Sequence, residues 1–383
     1  MDKKPLEGLL VLEFSQFMAG PTAGLRLADL GARVVKIERP GMGEGGRQIA
    51  IKNIFVDDSS LVFHTINRNK ESYAANLKDD SDLAAIKRLI KQADVITHNF
   101  RPGVMEKIGL DYESVKSLNS KIIYATVTGY GNEGPWAKKP GQDLLVQSLS
   151  GLAWLSGSDQ DGPVPFGLAV VDMYCATHLT QGILAALLKR SRTKQSVLVE
   201  VSLLESVLDM QFEVLTTHFN DGRKLPKRSA VRGGAHAYLS APYGVYKTSD
   251  GYLALAMGNV QKIAEIVGLP SERYRDASAW FSKRDQILQE FNDALLQKTT
   301  NEWTGILEAA GIWCGPVNDY HRFFQEEGFL RAGMTQEVAL QDGTKLKTTR
   351  SVYYIDGAPL YADRPAPKVG QDNEKIVNDY LVD

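Results

Sequence analysis

Apolar and polar positions follow one another in short blocks along the first half of the chain. Residues 9–14 (LLVLEF) form a compact apolar run and the loop SQFMAGP follows; Pro21 can open a helix that runs through Leu30, and Gly31 can close it. Residues 33–37 read as a second strand, and further strand-like runs fall at 94–97 and 122–127, the first of them fed by helical spacing over residues 82–93. This alternation of strand and helix predicts an α/β fold with a largely parallel sheet covered by helices. A long helix is expected from about residue 171 to 189, where small and apolar residues recur at helical spacing and basic residues gather at the C-terminal end. A strand over 197–201 and a helix over 203–215 follow. Residues 221–235 are polar, basic and glycine-bearing, as in an exposed loop or a boundary, and residues 243–257 resemble a hairpin turning at Ser249-Asp250-Gly251. The expected organisation is a large unit over 1–220, a smaller α/β unit with its linkers over 221–324, and a C-terminal segment, 325–383, returning to the large unit.

A chain of 383 residues has ample apolar surface for such a core, with 43% hydrophobic residues. The net charge of −2 gives no general attraction for nucleic acid or acidic membranes, so any polyanion must be met locally. Cys175 and Cys314 form no disulfide framework and match no metal spacing, which fits a reducing cytoplasm. The opening MDKKPLEGLLVLEF is interrupted by Glu7 and Glu13 and has no small-residue cleavage site, so it reads as a strand entering a domain. No apolar stretch approaches the roughly 20 residues of a membrane helix, and a soluble protein is expected.

Parallel sheets place ligands beyond the carboxyl ends of their strands, which makes residues 15–21 and 36–39 candidate site segments. GxGxxG is missing from the first turn and GxxxxGK[ST] from the whole chain, against both a nicotinamide dehydrogenase and a P-loop enzyme. Arg39 reads equally as a phosphate ligand or a solvated strand-end charge. His98-Asn99-Phe100-Arg101 offers an amide, an aromatic face and a guanidinium suited to an adenine and a phosphate, or forms an ordinary polar turn. Lys107, Lys138 and Lys139 add positive charge nearby. Asp172 stands in an otherwise apolar stretch at the expected first turn of the long helix. Either it only stabilises the helix end, or it is a carboxylate held ionised, with a pKa at or below about 3.9, that attacks an acyl carbon. None of the six histidines lies in HExxH or a metal spacing, and no GxSxG elbow is present; His98 and His178 have the best chance of approaching the site.

Together these segments resemble the family III CoA-transferases, the group that includes formyl-CoA transferase, carnitine CoA-transferase and the alpha-methylacyl-CoA racemases. The resemblance runs over nearly the whole chain, through VLEFSQFMAGP, LGARVVKIERPGMGEGGR, ADVITHNFRPGVMEKIGLDY, IIYATVTGYGNEGPWAKKPGQDLLVQSLSG and GLAVVDMYCATHLTQGILAALLKRSRT. It implies a Rossmann-like large domain, a smaller domain and an interlocked homodimer. It also implies that Asp172 is the catalytic aspartate, forming a mixed anhydride and then an aspartyl-CoA thioester. By the same similarity Met18, Ala19, Arg39, Ala75, Asn76, Lys78, Asn99, Phe100, Arg101, Lys107 and Lys139 belong to the CoA-contacting segments, with coenzyme A and acyl-CoA as substrates, a small carboxylic acid as acceptor and no permanently bound cofactor.

The racemases of the group carry a histidine where this chain has Gln142, and an amide is no general base near neutral pH. Gln142 is left to bond a thioester or anhydride oxygen, or to satisfy buried backbone. Formyl-CoA transferase has a loop of four glycines whose nearest analogue here is Gly233-Gly234, and two glycines still permit a mobile lid. The expected function is transfer of CoA from an acyl thioester to a free acid; an acyl-CoA racemase or isomerase, and a non-catalytic CoA-ester binding protein, are the alternatives.

Overall fold

A computed structural model describes residues 4–382, which fall into two compact units: residues 4–146, 169–210 and 333–382 form the first, residues 147–168 and 211–332 the second. The first is built on six strands, β1 (Leu10–Glu13), β2 (Arg33–Glu38), β3 (Lys70–Ala74), β4 (Val95–His98), β5 (Ile123–Thr128) and β6 (Val197–Ser202). They lie in the order β3-β2-β1-β4-β5-β6 with every neighbouring pair parallel. This is the doubly wound order, in which the chain reverses direction between β1 and β4 and leaves a crevice beyond their carboxyl ends. The helices that fix the site are α1 (Ala19–Asp29), α2 (Asp80–Gln92), α3 (Asp143–Leu149) and α4 (Val170–Thr193). One face of the sheet is sealed by Ile86, Leu89 and Ile90 of α2, all fully buried against Leu12, Val35 and Ile96.

β3 escaped the sequence reading because its sequence, KESYA, carries charge at positions that are buried. The charges are paired instead of solvated. Lys70 Nζ donates to both carboxylate oxygens of Glu13 at 2.9 Å, to the Pro21 carbonyl at 2.8 Å and to Asn67 Oδ1 at 2.9 Å. Lys36 Nζ donates to Glu13 Oε1 at 3.0 Å and to the Ser15 carbonyl at 2.8 Å, and all three charged side chains are fully buried. α1 passes directly over this cluster at Gly24, where an added Cβ would stand 1.7 Å from Glu13 Oε2. Gly24→Ala is therefore expected to lower stability despite the better helix propensity of alanine. The loss should be about 3 kcal/mol, the scale of breaking a buried ion pair, read from the urea midpoint.

The outer edge of β3 is covered by the C-terminal segment. The backbone N–H groups of Ser72 and Ala74 donate to Asp372 Oδ2 at 2.9 Å and Asn373 Oδ1 at 2.8 Å, so the otherwise open edge is paired. The helix expected over residues 203–215 is two helices, Leu203–Met210 and Phe212–Asn220, broken at Gln211 where the chain passes from the first unit to the second.

The second unit has a three-stranded antiparallel sheet. Gly244–Lys247 and Tyr252–Leu255 form the hairpin, with Cys314–Pro316 on the other side of its second strand. Its core is Tyr246, Leu253, Ile263, Phe291 and Leu307. Among the described residues no helix is long and apolar enough to cross a membrane.

Candidate active site

The crevice at the carboxyl ends of β1 and β4 is bridged by a reciprocal amide clamp. The Gln16 N–H donates to Asn99 Oδ1 at 2.8 Å and Asn99 Nδ2 donates back to the Gln16 carbonyl at 2.6 Å. The next residue, Phe17, takes a left-handed φ of 66°, and its N–H donates to Glu44 Oε2 at 3.0 Å. The chain then enters α1 at Met18 with no side-chain cap. The loop is thus fixed by buried charge below and Asn99 beside it, while Met18 and Ala19 face a cavity of about 470 Å³.

Asp172, in the first turn of α4, lines the same cavity, as do Asn99, Gln142 and Asp143. One close backbone approach sets Gln142 and Asp143 there. Gly129, just after β5, and Gly141 meet backbone to backbone: a Cβ on Gly141 would lie 2.5 Å from the Gly129 Cα. Asp143 Oδ2 then accepts from the N–H groups of Val171 at 2.8 Å and Asp172 at 3.0 Å, capping α4 from 28 residues away in sequence.

This cap corrects the expectation for Asp172. The amide hydrogens that were to hold its carboxylate ionised are engaged by Asp143. Asp172 is left with burial first and the Asp143 charge second, which together push its pKa up to about 7. A carboxyl poised near neutrality in an apolar cavity is basic and weakly solvated when it ionises, both of which favour attack on carbon. Cys175, on the next turn of α4, is no competing nucleophile: it is fully buried and burial holds its thiol at about 12.

A second cavity, about 280 Å³, shares Phe17, Asn99, Thr128, Gly129 and Gly141 with the first. Its other walls include Phe100, Arg101 and Lys139, with Lys139 Nζ 5.4 Å from the Trp136 ring centre. Six predicted contact residues, Met18, Ala19, Asn99, Phe100, Arg101 and Lys139, thus line the two adjoining cavities with Asp172 and Gln142. Arg39, Asn76, Lys78 and Lys107 line neither, and Ala75 is buried beside β3.

Gln142 is exposed and its side chain makes no hydrogen bond among the described residues, so it does not satisfy buried backbone. His98 is buried against Phe100 and Tyr124, and burial lowers its pKa to about 4. His178 faces Ser206 at 3.1 Å and Asp209 at 3.2 Å and lines neither cavity. Gly233 and Gly234 belong to the second unit. Gly233, at φ 103°, accepts from the Val245 N–H at 2.7 Å, and a Cβ there would strike the Val245 carbonyl oxygen at 2.2 Å. Glycine is required at this position by close backbone packing.

Asp143 and the apolar residues Ile49, Val62, Ile66 and Leu203 were not singled out as site residues from sequence. Asp143 acts through a helix 28 residues away, and the others are apolar side chains from an irregular segment and two short helices, where apolar residues read as ordinary core.

The model of CoA-transferase family III matches residues 6–373. The chain belongs to that family. It is 32% identical over 387 residues to the succinate–glutarate CoA-transferase of Agrobacterium fabrum, covering 98% of this chain and 95% of that protein. It is also 32% identical to the succinyl-CoA:glutarate CoA-transferase of Mus musculus, over 99% of this chain and 87% of the relative. Among solved structures, a CAIB/BAIF family protein from Brucella suis superposes with a TM-score of 0.85 at 30% identity, covering 99% of this chain and 100% of that one.

Proposed function

We propose that this protein moves coenzyme A from an acyl thioester to a free carboxylate by covalent catalysis on Asp172. The observation that carries the reading is the half-buried Asp172 carboxyl, poised near neutrality, in a cavity adjoining one lined by Arg101 and Lys139. In its ionised form Asp172 attacks the thioester carbonyl carbon, the C–S bond breaks, and CoA thiolate leaves a mixed anhydride behind. The thiolate then attacks the Asp172 carbonyl carbon, expelling the donor acid and forming an aspartyl-CoA thioester. The acceptor carboxylate attacks that carbonyl carbon, the thiolate leaves again, and its attack on the new acyl group gives the product thioester and frees Asp172. Thioester and anhydride have similar acyl reactivity, so one hard exchange becomes four easier ones.

The uncapped start of α1 at Met18 and Ala19 supplies amide N–H groups for the developing oxyanions, assisted by the amide of Gln142. Arg101 and Lys139, with Phe100 as an aromatic face, suit the phosphates and nucleotide of CoA; Arg39, Lys78 and Lys107 act as outlying charges toward the same polyanion. The reading includes a homodimer in the cytoplasm, with acyl-CoA and a small carboxylic acid as partners and no resident cofactor.

Incubation with an acyl-CoA and an isotopically labelled free acid tests this directly. Labelled thioester should accumulate with little hydrolysis. Solvent deuterium incorporated beside the thioester, without transfer, would replace the reading with a racemase.

A further inference from the structure

Apart from the five residues they share, the walls of the Asp172 cavity and of its neighbour differ in kind. Residues that line the Asp172 cavity and not its neighbour include Ile49, Val62, Ile66, Ala169 and Leu203. Among the described residues no lysine, arginine or histidine lines it, and its only charged groups are Asp143 and Asp172. The nearby buried cations are already engaged: Lys36 and Lys70 by Glu13, and Arg47 by Glu38, with Nη2 at 2.6 Å from Oε1. At the same time Phe17 is 49% exposed and Ile49 57% exposed. Beyond Ile49 the chain presents Ile51 (69%), Ile54 (41%) and Phe55 (43%) to solvent within a few residues. Exposed large apolar side chains at the cavity's edge, Phe17 and Ile49, favour an apolar ligand there.

We infer that the acyl group this enzyme handles is apolar and uncharged, an aliphatic or aryl monocarboxylate of more than a few carbons. The pantetheine end enters past Arg101 and Lys139, the thioester carbon meets Asp172, and the chain beyond it lies along Ile49, Val62 and Ile66. A dicarboxylate would place its second charge among apolar walls beside two aspartates, with no cation among the described lining residues to pair it, which is costly. The inference rests on the CoA-transfer reading and adds the substrate class, which departs from the succinate and glutarate in the names of two relatives.

The test is identity exchange, which requires no knowledge of the second substrate. Labelled hexanoate is incubated with hexanoyl-CoA, and labelled glutarate with glutaryl-CoA, and label entering the thioester is followed. Hexanoyl exchange should be faster by about tenfold or more in kcat/KM. Ile49→Arg, at an exposed position that tolerates the change, should narrow that ratio severalfold while leaving thermal stability unaltered. Equal or faster glutaryl exchange would overturn the inference and leave CoA transfer standing, and so would an unchanged ratio in the variant. Absence of exchange with both thioesters would remove the transfer reading and the inference with it.

Discussion

Asp172→Asn is expected to lower CoA transfer by at least about three orders of magnitude, because the amide keeps the shape of the carboxyl but has no charged oxygen to attack carbon. The same change should stabilise the free protein at alkaline pH. In the unfolded chain Asp172 titrates near 3.8, in the folded one near 7, so between those values the folded state holds the additional proton. Stability from this group is complete below the lower value and is lost as pH rises through the upper one, at a cost of up to about 1.4 kcal/mol for each pH unit that separates the two. Asparagine carries no such cost. Melting temperature should therefore rise in the variant at pH 8 and change little at pH 4. Activity lost together with stability at pH 8 would point to a structural role instead.

The pH dependence of the wild type carries the second large effect. With acyl-CoA limiting, kcat/KM should rise with pH through about 7 and level off above it, since only the ionised Asp172 attacks. Asp143→Asn removes the like charge while its amide oxygen can still accept from the Val171 and Asp172 N–H groups. The profile should then shift toward acid, with severalfold higher relative activity below pH 6. Asp143→Ala removes the charge and the cap together and should also lower stability by about 1 kcal/mol. A midpoint unmoved in Asp143→Asn would mean that Asp143 does not set the reactivity of its neighbour.

Much of the architecture was legible because five of the six parallel strands are apolar runs punctuated by turn residues, and the long helix has a clear 3.6-residue rhythm ending in Arg190 and Arg192. What escaped was built from paired charge or irregular backbone. β3 hides Lys70 and Glu71 in ion pairs, so its polarity reads as solvent exposure until Glu13, Arg33 and the C-terminal segment are placed around it. The break at Gln211 interrupts an apolar pattern that continues through it.

At the site, Asp172 itself stood out as a lone charge in an apolar stretch. The direction of its pKa did not, because helix position alone says that free amide hydrogens are available, whereas Asp143 arrives by tertiary contact and takes them. The apolar wall at Ile49, Val62 and Ile66 was illegible for a related reason: isoleucine and valine look alike in a core and in a binding cavity, and only the geometry separates the two.

Covalent linkage of the Asp172 carboxyl during turnover is what the proposed mechanism requires above all else. Intact-protein mass spectrometry after incubation with acyl-CoA, followed by hydroxylamine or borohydride trapping and peptide mapping, reads this in one experiment. A hydroxamate or reduced side chain at position 172 in the wild type, absent from Asp172→Asn, is the predicted result. Steady transfer of CoA with no trapped species at Asp172, or with one at another residue, would contradict it.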